Sequence, residues 1–226
     1  PRAIAYAVLG AAVVLDVIPD HRGARQLIGD AADLLPPPCP DGRWPWPELR
    51  LTYANAILPD AMLTTAVALG REPMAHQALR LLEWLVHEES LNSWFSFTPV
   101  SGRGPGDEKP KFDQQPLEAW AMADACARAY AYTGDGRWAT RARQAATWFV
   151  GANDVGVPMF DPLTDGGFDG LERDGVNRNQ GAESTLAFVG TMVAAATLEH
   201  PRLGVPSAIR RRATGPRLWT GLRGDG

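Results

Sequence analysis

The chain has 226 residues, 45% hydrophobic and 21% charged, a balance that suits a soluble globular protein with one sizeable core. A net charge of −4, with basic residues before position 200 scattered among acids, excludes an electrostatic grip on nucleic acid. Cys39 and Cys126 form neither a disulfide framework nor a metal-ligand pattern, which favours a cytoplasmic setting.

The apolar run at 3–15 is about 13 residues long, short of the roughly 20 needed to cross a bilayer, so no membrane partner is expected. Asp16 follows without a cleavage signature, so 3–17 reads as a buried helix ended by Pro19. A second helix is predicted over 21–35, with Leu27, Ile28, Ala31, Leu34 and Leu35 in helical spacing, stopped by prolines 36–38. An aromatic loop over 39–53 carries Trp44 and Trp46, held extended by Pro45 and Pro47. The third helix is predicted over 54–69 and the fourth over 74–87, joined by a short turn at Gly70. A long loop over 89–112 bears Trp94, Phe95 and Phe97, and loops of that length are functional lids or disordered. The fifth helix spans 115–132, Asp135 caps the sixth, and an Asp/Gly-rich loop over 151–179 leads to a seventh over 181–198. Only 49–53 and 94–100 carry strand signals. The segment 201–226, with six arginines, is predicted to be a peripheral tail on a domain covering 1–200.

Short turns alternate with long loops, so the helices form antiparallel hairpins and the long loops share one face. Three loop-to-helix junctions overlay: YANAILPDAML from Tyr53, KFDQQPLEAWAM from Lys111 and RNQGAESTLAF from Arg178. Each presents Asn or Gln, then a carboxylate: Asp60, Glu118 and Glu183, spaced 58 and 65 residues apart. That period suits two helices and one long loop. Stacked hairpins of this kind give an all-α fold, an α/α toroid with the first helix of each hairpin inside and the carboxylates around one mouth. The competing explanation is that each acid is an ordinary helix-start residue.

The stretches WPWPELRLTYANAILPDAML, KFDQQPLEAWAM and DGVNRNQGAESTLAF resemble the six-hairpin, (α/α)6-toroid proteins of carbohydrate metabolism. More narrowly, they resemble bacterial proteins found alongside glycosyltransferases. The resemblance covers most of 1–200. It implies an oligosaccharide or glycoside as partner, with a glycosyltransferase as a second one. A full toroid has twelve helices and about seven are predicted here, which implies the C-terminal portion of a larger ring or an incomplete ring.

Glycoside hydrolysis needs two carboxyls across a sugar-binding cleft, one as acid and one as base or nucleophile. Glu118 and Glu183, at matching places on neighbouring inner helices, are the first candidates, and Asp113 the third. Asp113 serves equally well as the N-cap of the fifth helix. Aromatic rings stack on sugar faces, and Trp44, Trp46, Tyr53, Trp94 and Phe160 lie on the long loops or at their ends, with hinge packing as the alternative role. Asp60, Gln114, Gln115, Asp169, Asn179 and Gln180 are candidates for binding sugar hydroxyls. No P-loop, dinucleotide fingerprint or calcium loop is present, so no cofactor is expected. None of His21, His76, His87 and His200 falls in a long-loop junction, which disfavours an epimerase, a zinc site or a Ser–His hydrolase. Two alternatives stay open beside hydrolysis. One is a non-catalytic sugar-binding or scaffold domain that assists a glycosyltransferase. The other is a phosphorylase, with Lys109, Lys111 and Arg178 as the basic residues of its rim.

Overall fold

The computed structural model describes residues 1–198. The predicted basic tail at 201–226 lies outside the described residues, as does His200. The described part is mostly helical: α1 (Arg2–Val17), α2 (Arg22–Ala31), α3 (Ile57–Leu69), α4 (Glu72–Glu89), α5 (Pro116–Thr133), α6 (Gly136–Phe149) and α7 (Ala182–Thr197). Two small antiparallel hairpins sit in the long loops, β1 (Ser90–Leu91) with β2 (Trp94–Phe95), and β3 (Gly170–Glu172) with β4 (Gly175–Asn177). No helix among the described residues is long and apolar enough to cross a membrane.

Local chemistry fixes the helix ends. The His21 imidazole accepts from the Ala24 N–H and the Asp135 carboxylate from the Arg137 N–H, at 3.1 and 2.9 Å, which satisfies donors the first turn leaves open. Gly70 and Gly134 close α3 and α5 in the left-handed conformation, at φ 69° and 71°, where a side chain would be strained. Pro73 and Pro116 stand in first turns, where the missing N–H costs nothing.

Five elements differ from expectation. The second helix stops at Ala31 rather than at 35, and the chain continues in turns over 32–34 before the prolines at 36–38. The third begins at Ile57 rather than at 54, because Ala54 is left-handed, with φ 46°. The 49–53 signal reduces to a single bridge between Leu51 and Arg103, and the 94–100 signal to the two residues of β2. The β3–β4 hairpin was not expected; its two-residue turn is Arg173–Asp174, and Gly175, at φ 144°, opens β4.

The odd helices pack in a row, α1 on α3, α3 on α5 and α5 on α7, and each of the first three also packs on the even helix that follows it. The short turns lie at one end of this row. The long loops lie at the other and touch one another: Leu51 bridges to Arg103, and Gln114 bridges to Leu171. Small residues let α5 be crowded on several sides: Ala119, Ala123, Ala125, Cys126 and Ala129 are fully buried. The α5–α7 approach is close enough that a methyl group on Gly190 would sit 2.5 Å from the Trp120 indole. A chain of rings, Phe95–Phe97–Trp148–Phe149–Phe188–Phe160, ties the loop face to α6 and α7 with centroids 4.8 to 5.7 Å apart. Such pairs add about 0.5–1.5 kcal/mol each beyond area burial.

Candidate functional site

Glu118 stands in the first turn of α5 and is only 6% exposed. Its carboxylate reaches across to the chain entering α3. Oε1 accepts the Ala54 N–H at 2.5 Å, and Oε2 accepts the Asn55 N–H at 3.1 Å and Asn55 Nδ2–H at 3.3 Å. These bonds hold Ala54 in its left-handed conformation, which costs on the order of 1–3 kcal/mol in a residue with a side chain. Asn55 is held from its other side: its Oδ1 accepts the Thr52 N–H at 2.9 Å and an Arg2 guanidinium N–H at 3.1 Å. Arg2 forks onto both oxygens of Glu48, at 2.9 and 2.7 Å, donates to the Tyr53 carbonyl, and lies over the Tyr53 ring at 5.0 Å. Burial pushes the Glu118 carboxyl up to about 8 and the negative charge of Glu89 adds to this; the Asn55 and Ala54 amides and Arg2 pull the other way.

Glu183 has the opposite surroundings. It lies in the first turn of α7 and is exposed. The two carboxyls meet electrostatically at Tyr6 of α1. Burial raises that phenol above its ordinary range, and Tyr53, Glu118 and Glu183 each raise it further. Tyr53, Glu118 and Glu183 thus all lie within electrostatic reach of Tyr6.

Other candidate residues are placed differently. Asp113 is exposed, the peptide bond before it is cis, and its carbonyl accepts the Val100 N–H at 3.1 Å. It does not cap α5, because Gln115, half-buried, occupies that position without a side-chain capping bond. Asp60 is buried and ion-paired with Arg128, so it fastens α3 to α5 rather than lining a rim. Beside that pair, burial and then Asp60 push Asp124 up to about 7, against Arg128. Gln114 is wholly buried. Its Oε1 accepts from the Phe97 N–H at 2.9 Å and Trp148 Nε1–H at 3.2 Å, and its Nε2 donates to the Lys111 carbonyl and Asp154. With its hydrogen-bonding capacity engaged, it locks the loops together instead of facing a ligand.

The aromatic candidates divide in the same way. Trp46 is 1% exposed and stacked on Trp84 at 6.0 Å, so it is a core residue and not an open platform. Trp44 packs edge-on against Trp84, donates from Nε1 to the Glu48 carbonyl at 3.1 Å, and is overlain by Arg103. Trp94 is half-buried. Phe160 stacks on Phe188 at 4.8 Å. Tyr53 alone of these five is open, at 52%. Asp169 and Asn179 build the entry to α7: Asp169 accepts from the Gly181 N–H at 2.7 Å and from Asn179 Nδ2–H. The Ser184 hydroxyl first, then these two donors, hold the Asp169 carboxyl below its ordinary range. Gln180 accepts from the Thr164 hydroxyl at 2.6 Å and donates to Asp161 at 3.2 Å.

The prediction missed three residues. Arg2 and Asn55 frame Glu118, and Asn55 is the amide of the first junction motif, so a signal for it was present. Glu89, the last residue of α4, is buried and accepts from the Thr98 N–H at 2.5 Å and the Thr98 hydroxyl at 2.6 Å. Burial raises it, while Lys109 opposes. Nothing in a Glu-Glu pair at a helix end marks one member as internal. Among the described residues no set of three or more His, Cys, Asp or Glu is placed to hold a metal ion. No family model and no curated protein matches the chain.

Proposed function

We propose that the chain is a carbohydrate-active protein of the α/α-toroid kind, acting as a glycoside hydrolase with Glu118 as the acid and Glu183 as its carboxylate partner. The observation that carries this reading is a pair of unlike carboxyls that both act on Tyr6: Glu118, buried and pushed up to about 8, and Glu183, exposed to solvent. A buried carboxyl that keeps its proton suits the acid role of such a pair. The open Tyr53 ring supplies an apolar face for a sugar. The row of odd helices supports the toroid. Its two end helices carry apolar residues at exposed positions in helical spacing, Val13, Val14 and Val17 on α1 and Leu186, Val189 and Val193 on α7, as helices inside a longer ring would.

The test is a panel of oligosaccharides and aryl glycosides, run with and without phosphate on wild type, Glu118→Gln and Glu183→Gln. Turnover falls by about 10²–10⁴-fold in each variant while ligand binding persists. Turnover that requires phosphate reassigns the reaction to phosphorolysis. A wild type that binds an oligosaccharide and never cleaves it sinks the hydrolase reading. The protein is then a sugar-binding domain serving a glycosyltransferase. One observation favours that second reading: three N–H donors already engage the Glu118 carboxylate, which makes it a strut for the α3 entrance.

A further inference from the structure

The two oxygens of Glu118 are treated unequally. A carboxyl oxygen has two lone pairs. Oε2 receives two donors, both from Asn55, at 3.1 and 3.3 Å. Among the described residues Oε1 receives one, the Ala54 N–H at 2.5 Å. One lone pair on Oε1 is left for a proton. We propose that Asn55 is the positioning residue that makes Oε1 the proton-carrying oxygen of Glu118, and that Arg2 holds Asn55 in the orientation this requires. The inference rests on the reading of Glu118 as the acid of the site.

An asparagine amide can sit either way round, and its neighbours decide which. Asn55 is 1% exposed, and its Oδ1 faces two donors, the Thr52 N–H and the Arg2 guanidinium. A flipped amide would turn its NH2 group onto both of these and its carbonyl onto Oε2 of Glu118. Every contact would then be repulsive. Arg2 cannot yield, because Glu48 grips it through both carboxylate oxygens and the Tyr53 carbonyl takes a further N–H. The chain Glu48–Arg2–Asn55–Glu118 therefore alternates acceptor and donor from the first turn of α1 to the first turn of α5. The other ionisable groups acting on this corner are Tyr6, Tyr53, Glu89 and Glu183.

The chemical consequence follows atom by atom. The Oε1–H bond breaks and the glycosidic oxygen takes the proton. The electron pair of that bond stays on Glu118 as carboxylate charge, which the same three N–H donors receive without moving. The anomeric C–O bond breaks, its pair going to the departing oxygen. Water adds to the anomeric carbon and gives its proton to Glu183.

The test reads Glu118 directly, by carboxyl NMR titration of protein labelled in glutamate, alongside the pH profile of glycoside turnover. Asn55→Asp keeps the shape, replaces the donor with an acid, and raises the Glu118 midpoint by about one unit or more. The alkaline limb of the turnover profile moves up with it and the plateau falls. Arg2→Lys keeps the charge, loses the fork, and gives a smaller upward shift. A merely structural role lowers the melting temperature and leaves the midpoint in place, and an unmoved midpoint in folded variants overturns the proposal. If Asn55→Asp does not fold, Arg2→Lys and Asn55→Ser supply the same reading. A wild type that cleaves no glycoside removes the hydrolase assignment, and the carboxyl titration still decides the role of Asn55.

Discussion

Asp60 and Glu118 stand in the first turns of two neighbouring helices, α3 and α5, and both are buried. They are held in unlike ways. Asp60 meets a guanidinium, Arg128, whose ion pair opposes the upward push of burial on the acid. Among the described residues Glu118 meets only neutral N–H groups within hydrogen-bonding distance, so burial dominates and its proton is retained. Matching position in a repeat therefore places a carboxyl at the right height in the helix row. Its partner then decides whether a countercharge or a set of neutral donors opposes its burial.

Breaking the Asp60–Arg128 pair gives the largest expected effect. Arg128→Met leaves a buried acid beside Asp124, itself pushed up to about 7, and costs about 3–5 kcal/mol in urea denaturation. The double variant Asp60→Leu with Arg128→Met recovers most of that loss, because the desolvation of both charges disappears together. A single variant as stable as wild type would refute the role of the pair as a fastening.

Glu118 responds to pH instead. Its folded value lies near 8, above the ordinary 4.5 of the unfolded chain. Below about 4.5 both states hold the proton and the group contributes no slope. From there to about 8 the folded state keeps a proton that the unfolded state has released, so stability falls as pH rises, by up to about 1.4 kcal/mol per unit. Glu118→Gln cannot titrate and removes that component. Denaturation of the two proteins at pH 5, 6, 7 and 8 isolates it from Asp124, Glu89 and Asp60, which burial also raises. Equal slopes would show that the amide donors outweigh burial at Glu118.

The contrast also shows what sequence could and could not reveal. Helices were legible because apolar spacing, Gly70 and Gly134 act locally, and all seven appear close to the predicted ranges. Glu118 was legible as a carboxyl at a helix head. The partner that distinguishes it from Asp60 was not, because Arg128 reaches Asp60 across 68 residues and Asn55 reaches Glu118 across 63. Likewise Trp46 and Gln114 sit in loops by sequence, yet both are buried, because the loops fold onto each other and build their own core. Loop membership speaks for exposure only when no other loop covers it, and Tyr53 is the aromatic left open.

The helix contacts beyond these two heads offer smaller tests. Gly190→Ala pushes a methyl group to within 2.5 Å of the Trp120 indole, so the indole or α7 must shift, at about 1–3 kcal/mol. A shift of α7 would move Glu183 relative to Tyr6, so glycoside turnover falls in step with stability if α7 moves and carries the partner carboxylate.

Asp169→Ala gives the smallest effect. Asp169 sits half-buried at the entry of α7, where it accepts from the Gly181 N–H and Asn179 Nδ2–H. Its loss leaves those donors to water and costs about 1 kcal/mol, the ordinary worth of a helix cap. Because its carboxyl is held below the ordinary range, the contribution is full above about 3.8 and is lost as pH falls through the depressed value. Its pH window thus lies on the acid side of the Glu118 window, and the sign is opposite. A variant whose stability deficit persists unchanged at pH 2 would show that Asp169 works through packing alone. A deficit that closes in acid assigns it to the charged cap, and leaves the slope between about 4.5 and 8 to the buried carboxyls.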